Sequence, residues 1–224
     1  IISCPSIEIL PLQDENLLRH LLTLQASPKT IFQGLIFLSA NGVKTFSAFL
    51  GDQKISFKKI PVYVVGPQTK LAAQTEGWTV KKIAKSFQSI ELIKVLGSVK
   101  GKRLLIPRPQ NTPKEFFDLL HSKGALITEV NTYKTMPAKA PSEEIKEIIL
   151  SGVDSITFTS ASTVKNFFGF FSKKEQSLLR KSLMMSIGPL TSAELKKFNI
   201  KNIVEAKEST TEGMVKTLVK KIKD

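Results

Sequence analysis

Residues 37–46 have the sequence FLSANGVKTF, and residues 158–167 repeat it as FTSASTVKNF, with six of the ten positions identical. A second matched pair follows each copy, VGPQT at residues 65–69 and IGPLT at residues 187–191. The two pairs stand in the same order at nearly the same separation, so we interpret them as a duplication. This separation far exceeds the repeat of about 20–50 residues in a solenoid, which favours two similar domains.

Short apolar strands alternate with helical segments throughout the chain. The expected strands include residues 35–38, 62–65 and 103–106 in the first half, and residues 156–159, 183–187 and 202–205 in the second. Apolar strands of this length, each followed by a helix, are typical of parallel sheets with both faces covered. The sequence therefore predicts an α/β fold with two doubly wound, parallel-sheet domains.

The repeated motifs lie where a strand ends and a helix begins, the edge at which open α/β sheets bind ligands. Their polar and glycine residues are Ser39, Gly66, Thr69, Ser160, Gly188 and Thr191. The first turn of a helix presents free N–H groups that can hold an anion. A Ser or Thr at that position also serves as a simple helix cap. Both interpretations stay open for any single residue, whereas duplication of the whole set favours anion binding.

The chain is strongly basic, with 33 Lys and Arg against 19 Asp and Glu and a net charge of +14. Solvated lysine-rich helix faces, an acidic small-molecule substrate and a nucleic acid all explain such a charge. The lysines are spread along the chain, and the spacings of zinc fingers, RRM domains and KH domains are missing from the sequence. Charge alone does not choose between the three explanations, but it is compatible with a polyanionic ligand.

Several classes of protein are excluded by what the sequence lacks. One cysteine, Cys4, rules out an internal disulfide framework, and two histidines, His20 and His121, are too few for a histidine-built metal site. The phosphate-loop and dinucleotide-binding glycine patterns do not occur, nor does a nucleophile–base pair. The sequence has no apolar run long enough for a membrane span and does not begin like a secretory leader, so we expect a cytoplasmic protein.

Two further residues are candidates for ligand contact. Arg108 follows the strand at residues 103–106 and has the fork geometry for a carboxylate, although a solvated loop arginine is an equal alternative. Tyr133 ends a long strand just before the segment MPAKAP at residues 136–141, which we interpret as a linker. Its hydroxyl is predicted to face the hinge, either as a structural group or as a hydrogen-bond donor to a ligand.

Six segments in order then resemble one family. They are FLSANGV, VVGPQTKLA followed by GW, LLIPRPQ, VNTYKT, ITFTSASTVKNF, and SIGPLTSAEL followed by NI. Each is weakly distinctive, but their order and spacing resemble the uroporphyrinogen-III synthase family from about Ile7 to the end of the chain.

The resemblance implies two α/β domains joined by a two-strand hinge, with the active site in the cleft between them. It also implies a lyase of porphyrin and haem biosynthesis that cyclises hydroxymethylbilane, a carboxylate-rich linear tetrapyrrole. Loss of the terminal hydroxyl gives an azafulvene cation, and closure through a spiro intermediate with inversion of the last pyrrole gives uroporphyrinogen III. Family members need no metal or organic cofactor. We expect a monomer with a small-molecule substrate and with no nucleic-acid or membrane partner.

The resemblance also implies roles for individual residues. Tyr133 is the candidate catalytic residue, assisting departure of the hydroxyl as a hydrogen-bond donor. The candidate substrate-binding residues are Ser39, Asn41, Gly66, Thr69, Arg108, Ser160, Ser162, Gly188 and Thr191. Pro109 and Gln110 stand where the family often has glycine, which weakens the assignment of Arg108.

The predicted domain boundaries follow from the linker and the resemblance. The first domain is expected to span residues 5–136, and the second to combine residues 1–4 with residues 137–224. Family members open with a strand and a helix that precede the segment beginning here, so the second domain is expected to lack an N-terminal βα unit. The alternative functions are a non-catalytic two-domain binder of an acidic small molecule and a basic nucleic-acid-binding protein.

Overall fold

In a computed structural model, the chain is described over residues 1–84, 89–110 and 114–223. The strands are β1 (Ile7–Pro11), β2 (Gly34–Phe37), β3 (Val62–Val65), β4 (Val80–Ala84), β5 (Arg103–Pro109), β6 (Leu126–Pro137), β7 (Ser155–Phe158), β8 (Leu183–Ser186) and β9 (Ile203–Glu205). The α-helices are α1 (Glu15–Ala26), α2 (Ala40–Leu50), α3 (Pro67–Thr75), α4 (Ser89–Leu96), α5 (Glu115–Ser122), α6 (Glu143–Ser151), α7 (Ala161–Gly169), α8 (Lys173–Leu179), α9 (Pro189–Lys197) and α10 (Thr211–Lys223).

The chain divides into two compact units. The first unit is Ile9–Thr135, and the second combines Ile1–Glu8 with Met136–Asp224. The two boundaries between the units therefore lie inside β1 and β6. The first unit begins four residues later and ends one residue earlier than the predicted span of residues 5–136. β6 also continues through Met136 and Pro137, the first residues of the segment interpreted as a linker.

The sheet of the first unit has the strand order β1-β6-β5-β2-β3-β4 among the described residues. The pairs from β6 to β4 are parallel. Next to β6, β1 is antiparallel, because Leu12 N–H donates to the carbonyl of Thr132 while Ala138 N–H donates to that of Ser6. The predicted parallel sheet is thus correct for its body and is mixed at this edge.

Both faces of the first sheet are covered, as the short apolar strands predict. Leu35 and Phe37 of β2 pack into one core with Phe46 of α2, and helices α1 to α3 line that face. Ile36, the residue between them, lies in a second core with Phe117 of α5, and α4 and α5 line the opposite face. Alternate strand residues point to opposite faces, so a continuously apolar strand serves two cores at once.

The second unit contains a parallel three-stranded sheet, β7-β8-β9, among the described residues. The consecutive residues Met184 and Met185 of β8 supply opposite faces. Met184 packs with Phe158 and Phe168, whereas Met185 packs with Met214 of α10. The strands expected at residues 156–159, 183–187 and 202–205 agree with β7, β8 and β9 to within one residue at each end.

Two local sequence features need separate mention. A 3-10 helix, Gly51–Phe57, comes directly after α2, and no pattern in the sequence predicted it. Thr112 followed by Pro113 has the sequence pattern of a helix cap and first helical residue, and both lie outside the described residues. In the described part of the chain, no helix is both long and apolar enough to cross a membrane.

Candidate functional site

The order of strands in the first sheet reverses between β2 and β5. β3 and β4 lie on one side of β2, while β5 and β6 lie on the other. In open α/β sheets a ligand binds outside the carboxyl ends of the strands at such a reversal. Ser39 follows β2 at this edge, Arg108 lies near the end of β5, and Tyr133 is on β6.

Ser39 and Tyr133 are in direct contact. Ser39 caps α2, and its Oγ accepts a hydrogen bond from the Gly42 N–H at 3.0 Å. The hydroxyl of Tyr133 lies 3.0 Å from the same Oγ, and either oxygen can be the donor. The structure therefore brings together two sequence-predicted site residues that are 94 positions apart.

Tyr133 is a protonated hydrogen-bonding group at neutral pH. Its side chain is 4% exposed, and this burial raises the pKa of the phenol above its ordinary value. The hydrogen bond with Ser39 lowers the pKa and offsets part of that effect. The hydroxyl can therefore donate a hydrogen bond, whereas its anion is disfavoured as a base.

A β-bulge in β6 sets the direction of Tyr133. Arg108 of β5 pairs with Asn131, but the next residue, Pro109, pairs with Tyr133, so Thr132 is an extra residue in β6. Bulges bend the strand and change the direction of side chains, often beside functional sites. No pattern in the sequence predicted this bulge.

Thr132 makes its own contact with α2. Its hydroxyl is fully buried and lies 2.9 Å from that of Thr45. Thr45 donates its single hydrogen to the carbonyl of Asn41 at 2.8 Å, so Thr132 must donate to Thr45. The side chain of Asn41 is half-buried and has no hydrogen-bond partner among the described residues.

Arg108 is already engaged within the protein. Its Nε lies 2.5 Å from Oε2 of Glu129, although the N–H is not aligned with that oxygen, so the contact is an ion pair rather than a hydrogen bond. One terminal nitrogen donates to the carbonyls of Pro109 and Gln110, and the guanidinium lies over the ring of Phe117. These contacts favour a structural role for Arg108.

The Gly66-Pro67 turn leaves the start of α3 without a side-chain cap. Gly66 has φ 79°, a left-handed conformation that favours glycine. Its N–H donates to the carbonyl of Ala84 at 2.9 Å. Thr69 is 3% exposed, and its hydroxyl has no hydrogen-bond partner within the described residues. Thr69 is therefore not a helix cap.

The matching turn in the second unit has a different backbone. Gly188 is extended, with φ 174°, so its conformation does not require glycine. A Cβ there would lie 3.2 Å from Oγ of Ser209, closer than an ordinary van der Waals contact. Thr191 is also 3% exposed, and among the described residues its hydroxyl has no hydrogen-bond partner. Of the two glycines, only Gly66 therefore has a backbone conformation that favours glycine.

The second serine loop is closed by its own residues. Ser160 caps α7, and Thr163 completes a capping box by bonding back to the Ser160 N–H. The hydroxyl of exposed Ser162 lies 3.0 Å from that of Ser160. Gly42 stands where Thr163 stands in this copy, so Ser39 has no such partner. The simple-cap interpretation therefore fits Ser160 better than Ser39.

One cluster in the second unit was missed by sequence reasoning. Ser192 donates to Oε2 of Glu205 at 2.6 Å, and the buried hydroxyl of Ser186 lies 2.6 Å from that of Ser192. Because the carboxylate only accepts, Ser186 must donate to Ser192. These residues meet at the carboxyl end of β8 and β9, and their spacing carries no recognised motif.

Groups for metal or thiol chemistry are not assembled in the described ranges. Clusters of three or more His, Cys, Asp or Glu suited to a metal ion are not found among residues 1–84, 89–110 and 114–223. Burial raises the pKa of the Cys4 thiol, which disfavours the reactive thiolate.

The structure thus joins Ser39 with Tyr133, and places Thr69 and Thr191 at equivalent helix starts in separate units. The cleft expected between the units stays a prediction.

Comparison with known proteins identifies the family of the chain. Residues 1–216 match the family described as uroporphyrinogen-III synthase HemD. A uroporphyrinogen-III synthase of Synechococcus elongatus is 29% identical over 193 residues, covering 82% of this chain and 73% of the relative. One of Chlorobaculum parvum is 27% identical over 205 residues, covering 88% of this chain and 79% of the relative.

Solved structures share the fold. The uroporphyrinogen-III synthetase of Helicobacter pylori matches with a TM-score of 0.69 at 19% identity, over 96% of this chain and 90% of that one. A mutant uroporphyrinogen III synthase of the extremely thermophilic bacterium Thermus thermophilus matches with a TM-score of 0.59 at 15% identity, over 98% and 88%. The family match spans nearly the whole chain and includes both copies of the duplicated loops, and the chain therefore belongs to the uroporphyrinogen-III synthase family.

Proposed function

We propose that the chain is a uroporphyrinogen-III synthase, which cyclises hydroxymethylbilane with loss of water and inversion of the last pyrrole. The observation that carries the proposal is the family match over residues 1–216, together with the Tyr133 hydroxyl at the strand-order reversal of the first sheet. The family and its named relatives are synthases, and they do not favour a non-catalytic binder.

The uncapped helix starts suit a substrate rich in carboxylates. α3 and α9 begin after Gly66 and Gly188 without a side-chain cap, and Thr69 and Thr191 add a hydroxyl to each first turn. Each helix start stabilises a nearby negative charge by about 0.3–1 kcal/mol. The net charge of +14 adds a favourable long-range field. We assign substrate carboxylates to these two turns, and a third to the start of α2 beside Asn41.

Tyr133 assists the first chemical step. The C–O bond of the substrate's hydroxymethyl group breaks, the lone pair of the pyrrole nitrogen stabilises the resulting azafulvene cation, and the oxygen takes up one proton from the solvent and leaves as water. The Tyr133 hydroxyl donates a hydrogen bond to that oxygen, a role that needs its hydrogen free. Ser39 meets this need by donating to the Tyr133 oxygen while it accepts from the Gly42 N–H.

Ring closure then depends on geometry more than on strong acids or bases. The azafulvene cation is intrinsically reactive, and holding it in a productive arrangement can lower the barrier substantially. Arg108 has no part in this scheme because Glu129 already holds it. The Thr163 N–H already donates to the Ser160 hydroxyl. We therefore assign Ser160 and Ser162 to substrate binding only through the part of their surface that is exposed to solvent.

The decisive experiment supplies purified protein with freshly prepared hydroxymethylbilane and separates the product isomers. We expect the type III isomer to exceed the type I isomer that forms spontaneously. Tyr133→Phe should slow formation of type III by about 10²-fold, the lower range for loss of one positioned hydrogen-bond donor. Tyr63→Phe is the matched control, because Tyr63 lies in the core on β3. Type I alone, at the rate without protein, would refute the proposal.

Three finer expectations stay predictions within this proposal. They are that the chain acts as a monomer, that it acts in the cytoplasm, and that it has no nucleic-acid partner. Size-exclusion chromatography and a low-salt DNA- and RNA-binding assay test the first and last of them.

A further inference from the structure

Two neighbouring residues of β6 both contact α2, which a regular strand does not permit. Thr132 bonds to Thr45 in the second turn of the helix, and Tyr133 bonds to Ser39 at its cap. Consecutive side chains of a strand point to opposite faces. The extra residue in β6 removes that restriction, because β5 advances by one residue while β6 advances from Asn131 to Tyr133.

The backbone of the bulge is held on both sides. The Thr132 carbonyl accepts from Leu12 N–H of the segment after β1 at 2.8 Å, and the Tyr133 carbonyl accepts from Gln110 N–H at 2.9 Å. These bonds hold the backbone of β6 to its neighbours on either side of the bulge. The side-chain contact between Thr132 and Thr45 ties the extra residue to α2 as well.

The hydroxyl pair forms a directed chain. Thr132 donates to Thr45, and Thr45 donates to the carbonyl of Asn41 in the first turn of α2. Thr132 is fully buried, and Thr45 is nearly so, so these hydrogen bonds are shielded from water. A buried hydroxyl that loses its only hydrogen-bond partner is unfavourable. The hydrogen bonds from Thr132 to Thr45 and on to Asn41 therefore restrain the bulge strongly.

We propose that Thr132 and Thr45 are positioning residues for the proposed synthase reaction, holding the β6 bulge in the register that sets the Tyr133 hydroxyl against Ser39. Neither threonine touches the substrate in this scheme. Their effect reaches the reaction only through the place and orientation of the Tyr133 ring. The inference rests on the proposed function for its kinetic consequence, but its geometric content concerns the protein alone.

The central variant is Thr132→Val, which keeps the shape and removes the donor while Thr45 keeps its bond to Asn41. A misplaced catalytic group can cost up to about 10²-fold, so we expect kcat to fall by about tenfold to a hundredfold with KM little changed. A loss confined to kcat is the pattern of an interaction that acts in the transition state. Thr132→Ser, which retains the hydroxyl, should restore most of the rate.

The matched control is Thr128→Val on the same strand. Thr128 lies in the regular part of β6, where it pairs with Leu105 of β5 before the bulge. This variant should leave kcat and KM unchanged. An equal loss of kcat in Thr128→Val would overturn the proposal, since it would show a general effect of the strand.

A second readout does not depend on activity. The chain has two tyrosines, so ring-labelled tyrosine gives two sets of NMR signals, which Tyr133→Phe assigns. Thr132→Val should shift the Tyr133 signals and leave those of Tyr63 in place. Unshifted Tyr133 signals together with wild-type kcat would overturn the proposal.

The two proposals fail in different ways. Wild-type protein that makes no type III isomer refutes the proposed function, and the Tyr133 signals then decide the positioning role by themselves. If Thr132→Val does not fold, the double variant Thr45→Val/Thr132→Val replaces it, because removing both partners leaves no unpaired hydroxyl between them. The double variant should show the same shift of the Tyr133 signals, and an unshifted spectrum would overturn the inference.

Discussion

The contact between Ser39 and Tyr133 makes a quantitative prediction about stability. Ser39→Ala removes both the cap of α2 and the partner of the Tyr133 hydroxyl. Loss of an N-cap costs about 1 kcal/mol, and loss of one buried hydrogen bond costs about 1 kcal/mol more. We therefore expect Ser39→Ala to lower the free energy of unfolding by about 2 kcal/mol, and Tyr133→Phe by about 1 kcal/mol.

The double variant separates the two contributions. Once Ser39 is absent, Tyr133→Phe removes a hydroxyl that already lacks its partner. The double variant should therefore cost about 2 kcal/mol rather than the sum of about 3, a coupling of about 1 kcal/mol. Asp14→Ala is the cap-only control, because Asp14 accepts from the Leu17 N–H in the same unit and has no tyrosine partner among the described residues. It should cost about 1 kcal/mol.

The assay is urea unfolding followed by tryptophan fluorescence. Trp78 is the sole tryptophan, is 3% exposed and belongs to the same unit as the three altered residues. With a denaturant slope of about 2 kcal/mol per M, Ser39→Ala should lower the urea midpoint by about 1 M. Additive costs for the two single variants would refute the reasoning, because they would mean that the two hydroxyls do not interact.

Two other predictions concern pH and backbone conformation. Burial raises the pKa of Tyr133 in the folded state, so its contribution to stability is complete below the ordinary tyrosine pKa of about 10 and is lost as the pH rises through the folded value. Urea midpoints measured between pH 9 and pH 11 should therefore fall more steeply for the wild type than for Tyr133→Phe, and equal slopes would contradict the assignment. Gly66→Ala should cost about 1–3 kcal/mol by urea unfolding because its φ is 79°. Gly188→Ala is extended and adds no backbone strain, so equal costs at the two sites would contradict this account.

Local rules predicted much of the fold because the interactions they describe are local. The cap at Ser39, for example, accepts a hydrogen bond from a backbone N–H only three residues later. The continuously apolar strands predicted covered sheets, and the two cores fed by alternate residues of β2 confirm that prediction. The 3-10 helix after Gly51 was missed, since the glycine marks the end of α2 without specifying the conformation of the next residues.

The candidate site was harder to predict because its contacts join distant parts of the chain. The sequence singled out Ser39 and Tyr133 separately, but their contact depends on the strand order that places β6 near β2. The bulge at Thr132 leaves no mark in residue type, and Thr45 looks like an ordinary helix residue. The two Gly-Pro turns have the same residues, which suggested the same backbone conformation. Their glycines in fact differ, because Gly66 is left-handed and Gly188 is extended.

The two serine loops show how one duplicated loop has diverged through a single neighbour. In the second copy along the chain, the Thr163 hydroxyl accepts a hydrogen bond from the Ser160 N–H, so that loop caps its own helix. In the earlier copy, Gly42 has no side chain, and a Cβ there would lie 3.3 Å from Oγ of Ser39. The bare glycine keeps the space around Ser39 clear for an aromatic ring from elsewhere in the chain. The first serine therefore bonds to a tyrosine 94 positions away, whereas the second serine bonds within its own loop.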